Sequence, residues 1–284
     1  MSPVASPSDR PGDSSPDPSR RRFLRAGAGL VGAVGLAGCV LSTEPYTERV
    51  ERSFDPSGAD ELAVRTDSGD VTLSPGDGEA VSGTVRKESS SGEDALDEVT
   101  VEGRVEDGRL TVAPRPLDPD ADVSVTLDLS VPEELAVVET SSSNGDIEAE
   151  GVAGDGTYSS ANGDVDVTGV DGFVTVESTN GDLTAGDVSG LDGAETTNGD
   201  VTVDVSALRE DATCRSRNGD VVAAVADDLS AAVTLETTNG DATVEGAQLT
   251  IESSGEHRVE GTIGAGEHAL ELRSTNGDVT LREQ

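Results

Sequence analysis

The chain has 284 residues, with 57 Asp and Glu against 19 Lys and Arg, a formal net charge of −38, 34 Gly, and only 3 Phe and 2 Tyr. Lys87 is the sole lysine, which excludes the clustered cationic surface that a nucleic acid needs. The 33% of hydrophobic residues, mostly Val, Leu and Ala, excludes an acidic disordered chain, and the scarcity of aromatics requires a core of many small, repeated contacts.

Residues 1–18 are rich in Ser, Pro and Asp, and Ser19-Arg20-Arg21-Arg22-Phe23-Leu24 comes next. Arg20, Arg21, Phe23 and Leu24 fill the fixed positions of the twin-arginine export pattern. The apolar stretch 26–38 has 13 residues. A bilayer-spanning helix needs about 20, so this stretch suits a signal peptide. It ends at Leu36-Ala37-Gly38-Cys39, which resembles a lipobox. Cleavage between Gly38 and Cys39 would leave a lipid on the Cys39 thiol. The expectation is a twin-arginine lipoprotein signal over 1–38, with the mature chain held by Cys39 on the outer face of the cell membrane. An uncleaved N-terminal anchor is the alternative. Residues 39–58 mix Ser, Thr, Pro and charges without periodicity and read as a flexible tether.

The domain proper is expected over 59–284. Its first part alternates apolar and polar residues in Glu61-Leu62-Ala63-Val64, Val99-Thr100-Val101, Arg109-Leu110-Thr111-Val112 and 123–129, with a loop over 114–119. This less regular segment is predicted to cap the stack of repeats on its C-terminal side.

From residue 140 a repeat takes over. Asn-Gly-Asp begins at Asn144, Asn162, Asn180, Asn198, Asn218, Asn239 and Asn276, with spacings of 18, 18, 18, 20, 21 and 37. Ser68-Gly69-Asp70 and Ser254-Gly255-Glu256 read as degenerate copies. Ser or Thr stands two residues before the Asn in every regular copy, from Ser142 to Ser274. The residue after each Asp is apolar (Val71, Ile147, Val165, Leu183, Val201, Val221, Ala242, Val279), and so is the residue two further on. Alternation on both sides of a Gly turn means two half-buried strands per repeat of about 18 residues.

Two architectures satisfy that pattern. In a β-solenoid of about nine to twelve coils, like residues stack on like residues, so fixed Ser/Thr and Asn columns are rewarded by ladders of hydrogen bonds. In an antiparallel meander Asn-Gly supplies hairpin turns, but a fixed column gains nothing. The columns favour an all-β solenoid with an irregular N-terminal β segment.

The run Leu129-Ser130-Val131-Pro132, then Leu135-Ala136-Val137, then Thr/Ser-rich Asn-Gly-Asp-Ile repeats resembles a family of adhesin-like β-strand-repeat domains. The resemblance covers about residues 60–284 and implies a solenoid-like extracytoplasmic domain, with no catalytic residues to carry over. One Lys against 57 acids is similar to a haloarchaeal proteome, in which salt screens such self-repulsion.

Little chemistry is expected beyond this. The turn aspartates from Asp70 to Asp278 form one column that could attract Ca²⁺, which takes six to eight oxygens. The Ca²⁺-binding solenoid repeat is about nine residues long with a Gly-Gly-x-Gly-x-Asp core, which this repeat lacks. Each Asp is therefore read as capping its own turn. Cys214 reads as a small core residue, and His257 and His268 as surface residues without companions at metal-ligand spacing. Arg215 and Arg217 near Asp220 are the nearest approach to a catalytic group on a β-helix face, and they form a weak one. The predicted function is non-catalytic, with no cofactor and no metal. The solenoid would serve adhesion or surface interaction with a glycan or protein ligand. An envelope sensor or partner-binding scaffold is the second reading, and a polysaccharide-active enzyme the third.

Overall fold

The computed structural model describes residues 45–117 and 122–284. The expected signal and lipid positions, Arg20, Arg21, Phe23, Leu24, Gly38 and Cys39, lie outside the described residues.

The chain begins with β1 (Tyr46–Phe54), β2 (Glu61–Thr66), β3 (Val71–Gly76) and β4 (Val81–Ser89). A single helical turn α1 (Glu93–Leu96) leads to β5 (Val99–Glu106), β6 (Arg109–Pro116) and β7 (Ser124–Pro132). Strand pairs then flank successive turns: β8 (Ala136–Ser142) with β9 (Ile147–Glu150), β10 (Gly156–Asn162) with β11 (Val165–Thr168), and β12 (Phe173–Asn180) with β13 (Leu183–Gly186). The series continues with β14 (Gly190–Asn198) and β15 (Val201–Val205), β16 (Ala212–Asn218) and β17 (Val221–Val225), and β18 (Ala231–Asn239) and β19 (Ala242–Glu245). β20 (Thr250–Ser254) and β21 (Arg258–Ile263) precede the last pair, β22 (His268–Asn276) and β23 (Val279–Glu283).

The first strand of each pair joins a twelve-stranded sheet and the second an eleven-stranded sheet. Within the stack, neighbours are parallel and in register, with Asn162 opposite Asn180, Asn180 opposite Asn198 and Asn198 opposite Asn218. The fold is an all-β solenoid, and parallel register rules out the meander. Period-2 alternation turns one row of each strand inward. Val64, Val176, Ala194, Cys214, Leu272 and Leu235 from the twelve-stranded sheet meet Val71, Ile147, Val165, Leu183, Val201 and Val221 from the other in one buried core. Val152, Val170 and Val188 close the far edge of three coils. Small branched side chains suffice because the sheets are held close along their whole length.

Chain order and stacking order differ. β22 lies between β16 and β18, and β23 between β17 and β19, so the last coil is inserted ahead of its predecessor. The described residues form eight paired coils, fewer than the nine to twelve expected. Ser68-Gly69-Asp70 is a true turn between β2 and β3. Ser254-Gly255-Glu256 is not a coil. It belongs to an antiparallel excursion, β20 and β21, laid against β18. Its carbonyls still cap the stack, because the Ala242 N–H donates to Glu256 O at 2.9 Å.

The tether expectation is corrected over much of its length. β1 pairs antiparallel with β4 from Tyr46–Ser89 to Phe54–Val81. As an edge strand it buries only Phe54 and needs no alternation, so its sequence looked aperiodic. Lys87 helps to hold it. This buried side chain donates to the Leu96 carbonyl at 2.8 Å and pairs with Glu48 of β1 at 2.5 Å. The loop expected from 114 also starts later. Pro114 and Pro116 lie in β6 opposite β5, beyond the part of β6 that pairs with β2, where a missing N–H costs no ladder bond on that side.

At one end, β7 runs parallel to β3, and β4 then β1 lie antiparallel beyond it. On the other sheet β6 runs parallel to β2 and β5 antiparallel.

Candidate functional site

Three side-chain ladders run along the Asn-Gly-Asp edge. Each buried Ser or Thr hydroxyl donates to the turn-glycine carbonyl of the preceding coil, from Ser142 to Gly69 (3.1 Å) through Ser178 to Gly163 (3.0 Å) to Thr237 and Gly277 (2.8 Å). From Asn162 onward each Asn amide donates to the side-chain carbonyl of the Asn one coil earlier in the stack, as in Asn180 to Asn162 (2.8 Å) and Asn276 to Asn218 (2.8 Å). Each Asp carboxylate accepts the backbone N–H of the following coil's Asp, as in Asp182 to Asp164 and Asp278 to Asp220, both 2.8 Å. The Asp cap therefore reaches the next coil and does not close its own turn as expected. A fixed Asp oxygen spaced one strand from the next N–H makes that bond available. Among the described residues no three His, Cys, Asp or Glu side chains converge as a metal site requires.

The hydroxyl ladder ends on His257. Its Nδ1 lies 2.7 Å from the Gly240 carbonyl, where the next coil's hydroxyl would otherwise stand. His268 is half-buried at the start of β22, opposite Ala231. Cys214 is fully buried, and burial pushes its thiol up to about 12, so it is held as an unreactive thiol. Tyr158 and Thr140 face each other in register inside the core, and neither hydroxyl has a hydrogen-bond partner among the described residues. Burial drives the Tyr158 phenol pKa upward.

The outward face of the twelve-stranded sheet is the principal surface feature. A shallow groove of about 650 Å³ crosses it, floored by Ser141, Ser143, Ser159, Thr179 and Thr197. Arg65, Arg215 and Arg217 stand at its ends, with Glu177 and Glu195 between them. Arg215 and Arg217 do share this face, as strand alternation requires. Asp220 is not brought to them as a chemical partner, since its carboxylate accepts the Asp278 N–H.

Sequence reasoning missed one cluster at the opposite edge. Arg209 pairs with both Asp155 and Asp192 and lies 4.6 Å from the Phe173 ring centroid, so one side chain ties three coils together. The Phe173 N–H and then Arg209 hold the Asp155 carboxyl below its ordinary range. The guanidinium pKa is raised by the two carboxylates in turn. The 20-residue spacing from Asn198 to Asn218 was the available signal, because the added residues form the loop that carries Arg209.

The sequence pattern of the Toastrack DUF4097 family matches residues 55–282. The chain belongs to that family. Among solved structures, it is similar to a "putative cell adhesion protein" from Clostridium sporogenes (13% identity, 85% of this chain and all of that one, TM-score 0.33). It is similar also to a "putative adhesin" from Bacteroides fragilis (11% identity, 84% and 97% covered, TM-score 0.39). A third likeness is to a "putative lipid binding protein" from Parabacteroides distasonis (12% identity, 84% and 97% covered, TM-score 0.23). No curated protein matches the chain.

Proposed function

We propose that this is a non-catalytic lipoprotein of the cell surface. Residues 1–38 direct twin-arginine export, and Cys39 carries the lipid that anchors the chain on the outer face of the membrane. The solenoid presents itself there for adhesion or surface interaction with a glycan or protein. The acidic composition suits a haloarchaeal cell, where concentrated salt screens a net charge of −38.

One observation carries this reading. Nearly all the repeated polar groups are spent on the stack itself, in the Ser/Thr, Asn and Asp ladders. What remains toward solvent is a long, shallow, hydroxyl-floored face, which suits a broad macromolecular partner better than a small enclosed substrate.

The test compares cells lacking the gene, cells restored with it, and cells carrying Cys39→Ser. Attachment should fall without the gene, return with it, and fail again when Cys39→Ser releases the protein into the medium. Attachment that never changes would move the partner-binding scaffold ahead of adhesion. A Cys39→Ser protein that stays with the membrane would refute lipid anchoring.

A further inference from the structure

The outward face of the twelve-stranded sheet carries a charge row that is visible only once the register is known. Nine side chains succeed one another across nine strands: Arg65, Ser141, Ser159, Glu177, Glu195, Arg215, Arg273, Glu236 and Arg258. The outer members are satisfied within the chain. Arg65 pairs with Glu139 at 2.7 Å, Arg273 with Glu271 at 2.8 Å and Glu236 at 3.1 Å, and Arg258 with Glu236 and Glu260. The middle members are not. Glu177, Glu195 and Arg215 are exposed and make no ion pair among the described residues, and neither does Arg217 two residues along β16.

The central order is Glu177, Glu195, Arg215, Arg273, which is acid, acid, base, base. Such a row is its own complement. When a second copy is turned by a two-fold axis lying in the face, parallel to the strands and between β14 and β16, Glu195 of each copy meets Arg215 of the other. Glu177 then faces Arg273, whose guanidinium already pairs with Glu271 and Glu236, so Glu195 with Arg215 is the pair that carries the contact. This is the pattern an isologous contact requires. We infer that this face is a homodimer interface, and that its occupant is a second copy of this chain.

Two further observations favour that occupant. With Arg217 and the flanking Glu139, Glu271 and Glu260, the face holds five arginines against six glutamates in a chain of net charge −38, so it is close to neutral and two copies repel little where these faces meet. The corresponding row of the eleven-stranded sheet includes Glu148 and Asp166 and no cation, Arg282 of β23 being the arginine that flanks it on that face. The face is also long enough. Nine strands at about 4.8 Å spacing span about 38 Å, and a strip about 15 Å wide buries about 600 Å² per copy. About 1,200 Å² in total is the lower bound of a specific interface, so the dimer should be concentration-dependent. Glu177 and Glu195 beside Arg215 count against a polyanion as the natural occupant. The second copy would cover the same outward face that carries the surface role above, so the two occupants compete for it; their tests still fail separately, because dimerisation is read in solution and attachment on cells.

The experiment is sedimentation velocity on the purified chain in about 2 M KCl, which shortens the screening length to about 3 Å or less and removes the long-range repulsion. Reductant is kept present so that Cys39 cannot cross-link copies. A reversible dimer should form at micromolar to submillimolar concentration. Glu195→Arg places like charges together twice per dimer and should weaken association at least tenfold. Adding Arg215→Glu to it should restore the wild-type constant to within about threefold. Both positions are exposed, and unchanged circular dichroism checks that the fold persists. A wild-type chain that stays monomeric to about 0.5 mM overturns the inference, as does a double variant no better than the single. Binding of heparin through Arg215 and Arg217 by a chain that never dimerises would assign the face to a polyanion instead.

Discussion

Gly181 should be among the least replaceable residues in the chain, although its own backbone conformation does not demand glycine, since its φ lies outside the positive range. A Cβ added there would stand 2.0 Å from the Gly163 carbonyl oxygen and 2.5 Å from its carbon. An ordinary contact needs more than 3 Å, so two coils would have to part by over 1 Å at a turn held from both sides. Five hydrogen bonds join those coils around the clash. They run from Gly163 N–H to Asn180 O, Val165 N–H to Asp182 O, Ser178 to Gly163 O, Asn180 to Asn162, and Asp182 N–H to Asp164, all 2.8–3.0 Å. Lengthened by an ångström, most of them no longer qualify as bonds. At about 1 kcal/mol each, losing three to five predicts that Gly181→Ala destabilises by about 3–5 kcal/mol. Gly108→Ala is the control. Its φ is 83° and a Cβ there would meet nothing within 4 Å, so only the left-handed backbone is strained, at about 1–2 kcal/mol. Urea unfolding at fixed salt, followed by far-ultraviolet circular dichroism, measures both. If Gly181→Ala cost no more than Gly108→Ala, the close-approach argument for the glycine column would be wrong.

Tyr158→Phe should leave stability unchanged or raise it by about 1 kcal/mol, because it removes a buried hydroxyl without a partner among the described residues; a loss above about 1 kcal/mol in the same assay would mean that the hydroxyl is bonded. Lys87→Met should cost about 1–3 kcal/mol, since it keeps the apolar stem but frees the Leu96 carbonyl and Glu48. Protease resistance of the segment around β1 should fall with it, and intact resistance would show that Lys87 does not pin that strand. Asp155 is held below its ordinary pKa, so its contribution is present above the unfolded value of about 4 and is lost as pH falls through the lower folded value. Asp155→Asn should therefore lower the melting temperature at neutral pH and flatten the acid limb below about pH 4. Parallel acid limbs in wild type and variant would dismiss that linkage.

How much was legible can be read residue by residue. The Ser/Thr, Asn and Asp columns were visible as fixed offsets from each Gly, and a fixed offset has energetic meaning only where like stacks on like, so parallel register was legible too. The identity of the Asp partner was not. An Asp beside its own turn can close that turn or reach the next coil, and the spacing between coils decides for the second. β1 stayed hidden because an edge strand exposed on both faces has no reason to alternate. Arg209 stayed hidden because its partners, Asp155 and Asp192, are 54 and 17 residues away.

Local pattern alone thus determined the coil: strand, glycine turn and strand, with apolar residues inward, because the twofold periodicity of a strand and the bulk of a Cβ are properties of a few residues. It could not order the coils. Every Asn-Gly-Asp turn offers the same donors and acceptors, so Asn276 satisfies Asn218 as well as Asn239 would, and only the tertiary structure places β22 and β23 between the strands of the two preceding coils. The same holds for the charge row. Glu177, Glu195, Arg215 and Arg273 are far apart along the chain, and become one surface only because the stack brings each within a strand's width of the next.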